Sequence, residues 1–275
     1  MILKKSEIRK IILLLFLVLI NSSCNRYKKS IIMKWLCYYG NDTVVEKLNE
    51  YDLVILEPDN IKDASKIKSE YKLAYLSVGE INKSRFYYEF FKDRKWLGAE
   101  NPNWPGSFKA NIRNTEWRNY IVERIIPNIV GRGYNGIFLD TVNEAVSDTD
   151  GIYTVESGKQ YIELLKKIRK AYPRLFILQN SGIETLKEAA NQIDGILFED
   201  LFTNYDFSKK IYKIETNDFL LNKINEIKKV FNKPIFVIDY CESSDLEMRG
   251  KLRKKAENTN VYYYLAEIEL DKIYE

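Results

Sequence analysis

Asn135-Gly136-Ile137-Phe138-Leu139-Asp140 and Asp194-Gly195-Ile196-Leu197-Phe198-Glu199 repeat one pattern at two places in the chain. Each has a turn residue, a glycine, a short apolar run and a closing acid. Apolar runs of this length between turn signals read as buried strands of a parallel sheet. An acid that closes such a strand stands at its carboxyl end, the end at which parallel α/β folds carry their chemistry.

Working outward, six more runs have strand character: 35–39, 53–57, 73–79, 175–180, 234–240 and 261–266. Helical stretches fall between them at 43–51, 64–71, 116–132, 157–172, 183–192 and 218–231. Within 157–172, apolar Tyr161, Leu164, Leu165 and Ile168 recur at helical spacing. Eight strands alternating with helices in 275 residues predict an α/β fold, a single (β/α)8 TIM-barrel-like domain over 34–275. The final helix is the least defined part of that pattern. The first strand ends Tyr38-Tyr39-Gly40-Asn41-Asp42, without a glycine-rich phosphate turn, so no nucleotide cofactor is expected.

The echoed motifs fall on barrel strands four and six. Alternate strands of a barrel fill the same interior layer. Equal registers place Asp140 and Glu199 in one layer, roughly 10 Å apart at their backbones. Side chains converging from there reach the roughly 5–9 Å separation that glycoside hydrolysis uses. A single acid in such a place more often caps the following turn. Two in matched positions favour a catalytic pair.

The chain has no histidine, which excludes Ser-His-Asp and Cys-His catalysis and every histidine-ligated metal site. Polar chemistry here is most simply carboxylate chemistry. Glu57 ends the second strand, Glu80 follows the third in Ser77-Val78-Gly79-Glu80, and Asp239 precedes Tyr240 in the seventh. Asp59 and Asp200 are read as solvated or structural acids. Together these acids predict an acidic mouth, suited to a cationic substrate or a hard metal such as Ca²⁺. Trp35, Tyr38, Tyr39, Tyr75, Trp104 and Tyr240 are candidates for stacking on sugar faces, with barrel filling the competing role for Trp35 and Tyr75. Trp104 lies in a loop-type stretch at 101–106 and reads as a binding-loop residue.

The net charge is +4, and residues 1–23 carry +3 of it, so the remainder is nearly balanced and no nucleic-acid partner is expected. Lys4, Lys5, Arg9 and Lys10 precede ten apolar residues at 11–20. Ten residues span about 15 Å as a helix, half a bilayer core, which suits a signal peptide better than a transmembrane span. Asn21-Ser22-Ser23-Cys24 is similar to a bacterial lipoprotein box, although Asn21 stands where an aliphatic residue is usual. The expectation is a signal peptide at 1–24, a lipid on Cys24, a tether at 25–33, and an exported protein anchored in the cell envelope. Cys37 and Cys241 remain, either paired or buried as thiols.

Taken in order, Tyr38-Tyr39-Gly40, Ser77-Val78-Gly79-Glu80, the 101–106 loop, Gly136-Ile137-Phe138-Leu139-Asp140-Thr141, Ile196-Leu197-Phe198-Glu199 and Asp239-Tyr240 resemble the endo-α-1,4-polygalactosaminidase family, glycoside hydrolase family 114. The resemblance runs over about 35–265. It implies a barrel that cleaves α-linked galactosaminoglycans, cationic polysaccharides of microbial matrices, with Asp140 and Glu199 as the catalytic pair and no cofactor. By analogy with other α-glycosidase barrels Asp140 attacks the anomeric carbon and Glu199 is the acid and base, with the reversed roles and an inverting mechanism as the alternatives. Glu57, Glu80 and Asp239 hold substrate groups, and Tyr38, Trp104, Asn180 and Tyr240 line the subsites. The alternatives are a non-catalytic surface glycan-binding lipoprotein and a metal-dependent carbohydrate enzyme using the same carboxylates.

Overall fold

A computed structural model describes residues 34–148 and 150–273. Cys24, the expected signal peptide at 1–24 and the whole of the expected tether at 25–33 lie outside the described residues. Strands β1 (Trp35–Tyr38), β2 (Leu53–Leu56) and β3 (Tyr71–Ser77) lead into a small antiparallel excursion of β4 (Glu80–Asn82), β5 (Leu97–Glu100) and β6 (Ser107–Ala110). The parallel sheet resumes with β7 (Gly136–Asp140), β8 (Phe176–Asn180) and β9 (Gly195–Glu199). A hairpin of β10 (Thr203–Asp206) and β11 (Ile211–Ile214) follows, then β12 (Ile235–Tyr240) and β13 (Tyr262–Ala266).

The parallel strands run in the order β1-β2-β3-β7-β8-β9-β12-β13 and curl into a nearly closed barrel. At the seam, the Trp35 ring packs against Phe236 at 5.0 Å and Tyr264 at 5.5 Å, and Tyr39 N–H donates to the Leu270 carbonyl at 2.6 Å. Trp35 is thus a barrel filler, 4 % exposed. Strands such as β2, buried along its whole length, are apolar throughout because the barrel interior covers one face and helices the other.

The long helix Val155–Ala171 starts where Thr154 accepts from Ser157 N–H and buries Tyr161, Leu164, Leu165 and Ile168. The expected helix over 116–132 is interrupted by a π turn at Ile121–Ile125, just ahead of Pro127, which has no N–H to continue the ladder. The expected helix at 64–71 reduces to a 3-10 turn, Ala64–Lys66, because Asp63 caps Ser65 N–H and Ile67 is already extended. Each of the helices expected at 43–51 and 183–192 shrinks to a 3-10 turn followed by one four-residue α turn. The last helix, Leu246–Ala256, is capped by Asp245 on Met248 N–H. Cys37 and Cys241 are both buried and free, so they do not pair.

Candidate active site

Strand alternation decides which side chains reach the barrel mouth. From β7, β8, β9 and β12, residues Asp140, Asn180, Glu199 and Tyr240 line one cleft of about 610 Å³, with Tyr75 from β3 and Tyr39 just past β1. In the ladder, Leu139 pairs with Gln179 and Asn180 with Leu197. Glu199 therefore sits two residues further along than the level of Asp140, rather than in equal register. Strands in an eight-stranded barrel are tilted by about one residue per strand, so this stagger is what brings strands four and six level.

Asn180 stands between the two acids. Its Nδ2 donates to Asp140 Oδ1 at 2.7 Å and to Glu199 Oε1 at 2.7 Å. The second oxygen of each acid accepts from a tyrosine: Tyr75 OH donates to Asp140 Oδ2 at 2.8 Å, and Tyr240 OH donates to Glu199 Oε2. Two oxygens sharing one amide nitrogen, with its N–H bonds spread by 120°, lie about 4.7 Å apart.

The residue after each of the three is left-handed: Thr141 (φ 57°), Ser181 (φ 50°) and Asp200 (φ 57°). Non-glycine residues adopt this conformation at a cost of about 1–2 kcal/mol each. The cost is met by local bonds, at Thr141 most clearly. Its Oγ1 accepts from Gly79 N–H at 2.8 Å and sits 2.7 Å from Ser77 Oγ, joining the ends of β3 and β7. Gly79 allows that approach, since a Cβ there would lie 2.4 Å from the Thr141 carbonyl oxygen.

The model of glycoside-hydrolase family GH114 matches residues 20–275. The chain belongs to this family. An uncharacterized protein of Methanocaldococcus jannaschii is 30 % identical over 200 residues, 68 % of this chain and 55 % of that one. One of Thermotoga maritima is 24 % identical over 221 residues, 73 % of this chain and 67 % of that one. The chain thus spans little more than half the length of the Methanocaldococcus relative. Among solved structures, the glycoside hydrolase domain of PelA from Pseudomonas aeruginosa superposes with TM-score 0.73 at 20 % identity, covering 88 % of this chain and 97 % of that one. Aspergillus fumigatus Ega3 in complex with galactosamine gives 0.66 at 16 % identity, over 89 % of this chain and 95 % of that one. At these identities the likeness is one of fold.

On this GH114 barrel the remaining expected residues separate. Glu80 lies in the cleft wall and accepts from Asn101 Nδ2 at 2.7 Å. Trp104 lines the cleft, 48 % exposed, with its ring against Phe207 at 5.5 Å. That contact joins the excursion after β3 to the hairpin after β9. Glu57 also lines the cleft but is held bidentately by Arg85, at 2.5 and 2.8 Å, and Arg85 also bonds Asp59 at 2.8 Å.

Two expected binding residues are corrected. Tyr38 points away from the cleft, 2 % exposed, donating its hydroxyl to the Asn41 carbonyl at 3.1 Å; its neighbour Tyr39 takes the cleft position, 5.2 Å from Tyr75. Asp239 is fully buried behind the cleft wall. It accepts from Phe202 N–H at 3.0 Å, Thr203 Oγ1 at 3.0 Å and Tyr263 OH at 2.8 Å. Both sit one residue out of phase with the inward-facing row, and a strand turns such residues to its other face.

Burial and the neighbouring Asp140 charge push the Glu199 carboxyl above the usual carboxylate range, against the opposing bonds from Tyr240 and Asn180. Burial likewise raises Glu80 and Glu144, both cleft residues. Asp200 is pushed up to about 7 by burial and then by the Glu199 and Asp239 charges. Arg85 is the one cationic side chain among the described residues that line the cleft, and it is engaged by Glu57 and Asp59. Glu144 and Arg85 were not singled out from sequence, since both lie in segments after strand ends without a strand pattern of their own. Among the described residues no group of three or more Asp, Glu or Cys is arranged to hold a metal ion.

Proposed function

We propose that this chain hydrolyses α-linked galactosaminoglycan, or a related extracellular polysaccharide, with Asp140 and Glu199 as its two carboxyl groups. The observation that carries this reading is the single Asn180 amide bonded to both acids. It supports a separation of about 4.7 Å between the bonded oxygens, nearer the roughly 5–5.5 Å of retaining glycosidases than the roughly 6.5–9.5 Å of inverting ones.

In the first step Asp140 attacks the anomeric carbon as the glycosidic C–O bond breaks, and Glu199 gives its proton to the departing oxygen. In the second step Glu199 takes a proton from water, the water oxygen bonds to the anomeric carbon, and Asp140 leaves as a carboxylate. The raised Glu199 carboxyl suits the acid role, because it keeps a proton available nearer neutrality. An acidic cleft whose arginine is already paired supports a cationic glycan, as does the fold shared with Ega3, solved with galactosamine.

NMR of the first-formed product tests the two-step reading. Initial release of the α-anomer supports it, and initial β-anomer contradicts it. We further propose export and lipid attachment at Cys24, from the basic and apolar segments before it. Fatty-acid labelling that persists in Cys24→Ser would contradict attachment there.

A further inference from the structure

The hairpin of β10 and β11 leans over the barrel mouth and touches loops from other strands. Its root lies just past β9, the sixth barrel strand, where Glu215 N–H donates to the Phe202 carbonyl at 3.0 Å and Asn217 N–H to that of Leu201 at 2.9 Å. Its body reaches the chain after β13, the eighth strand, where Tyr212 OH accepts from Ile268 N–H at 3.0 Å. Its tip carries Phe207, whose ring meets Trp104 at 5.5 Å in the excursion after β3, the third strand. Tyr205 links the two contacts, 5.0 Å from Phe207 and 4.8 Å from Tyr212. Asp206 fixes the tip turn, accepting from Ser208 Oγ at 2.7 Å and Lys209 N–H at 3.1 Å.

A line from the third strand to the sixth crosses the mouth of an eight-stranded barrel. Cleft residues lie to both sides of it: Thr141 and Ser181 after the fourth and fifth strands, and Tyr39, Glu57 and Ile268 after the first, second and eighth. The aromatic bridge therefore spans the cleft. A chain end can enter beside it, but the middle of a long polymer reaches the acids only when the Trp104 and Phe207 rings part. Both rings are exposed, so this contact is not locked into a core. An aromatic pair of this kind favours the closed form by about two- to tenfold, so opening is accessible.

We infer that Phe207 governs where along a polysaccharide this chain cuts, by limiting internal entry relative to entry from an end. This rests on the reading of the cleft as a glycan-hydrolysing site. Phe207 itself stands outside the cleft wall, so it acts through Trp104 and not by touching the sugar.

The test follows the viscosity of partly deacetylated galactosaminoglycan against the reducing ends released, because internal cuts lower viscosity far more per end than terminal ones. Phe207→Ala should raise the viscosity loss per reducing end by about two- to tenfold. The opposite state comes from Trp104→Cys with Phe207→Cys in a Cys24→Ser chain, bridged by a bis-methanethiosulfonate and freed by reductant. Cys37 and Cys241 are buried and stay out of that reaction. The bridged form should still cleave a short galactosamine oligosaccharide but lose nearly all of its viscosity loss per end, and reductant should restore it. The assignment of Phe207 is overturned if the Ala variant leaves the ratio unchanged, if the bridged form thins the polymer as well as the freed one, or if it also fails on the oligosaccharide. Release of reducing sugar by the wild type in those cases leaves the hydrolase reading standing. A wild type that releases none from polymer or oligosaccharide overturns both.

Discussion

Asp140 and Glu199 accept hydrogen bonds from the same nitrogen, Asn180 Nδ2, each at 2.7 Å. Two acids held this way are spaced and oriented before substrate arrives. Asn180→Ala should therefore lower kcat by about 10²–10³-fold, the scale of losing one preorganised donor, while the fold survives. Circular dichroism and steady-state kinetics check this, and an unchanged kcat would remove Asn180 from the mechanism.

The bonds from Asn180 and Tyr240 favour the ionised form of Glu199. Removing either donor raises its pKa further. If Glu199 acts as a protonated acid, the alkaline limb of kcat/KM should move to higher pH in Tyr240→Phe. A pH–rate series measures this, and a limb that stays in place or moves to lower pH contradicts the role.

Glu80, Glu144, Glu199, Asp200 and Asp239 are all raised, chiefly by burial. Between about pH 4, where such groups titrate in an unfolded chain, and their folded values, the native state holds more protons than the unfolded one. Their contribution to stability is therefore complete below that window and is lost as pH rises through it. Tm should fall from pH 5 to pH 8, and Asp200→Asn should flatten the part of the fall near 7. Scanning calorimetry across that range is the check.

Asp239→Ala should act on stability more than on chemistry. It leaves Phe202 N–H and the Thr203 donors buried without a partner, a loss of about 3 kcal/mol or more. Denaturant unfolding measures this. By contrast, Trp104→Ala should leave the fold intact and raise KM for polysaccharide about tenfold with little change in kcat, because it removes exposed ring surface from the cleft and touches neither acid.

The barrel strands and the two closing acids were legible in sequence because period and turn residues report directly on buried strands. The ends of short helices were not, since a capping bond such as Asp63 to Ser65 overrides local propensity. Placement of the acids needed two facts that a pattern does not carry. The phase of each strand turns Tyr38 and Asp239 outward. The left-handed kink after Glu199 turns Asp200 inward against that phase. The Arg85–Glu57 pair was hidden for another reason, because it joins residues 28 apart in sequence through an irregular segment.

Reducing-sugar release from partly deacetylated galactosaminoglycan by residues 26–275, beside Asp140→Asn and Glu199→Gln, bears directly on the proposed carboxyl pair. The wild type should release sugar, with a loss of at least about 10³-fold in both variants. Release that survives in either folded variant, or polysaccharide binding by the wild type without release, would contradict it.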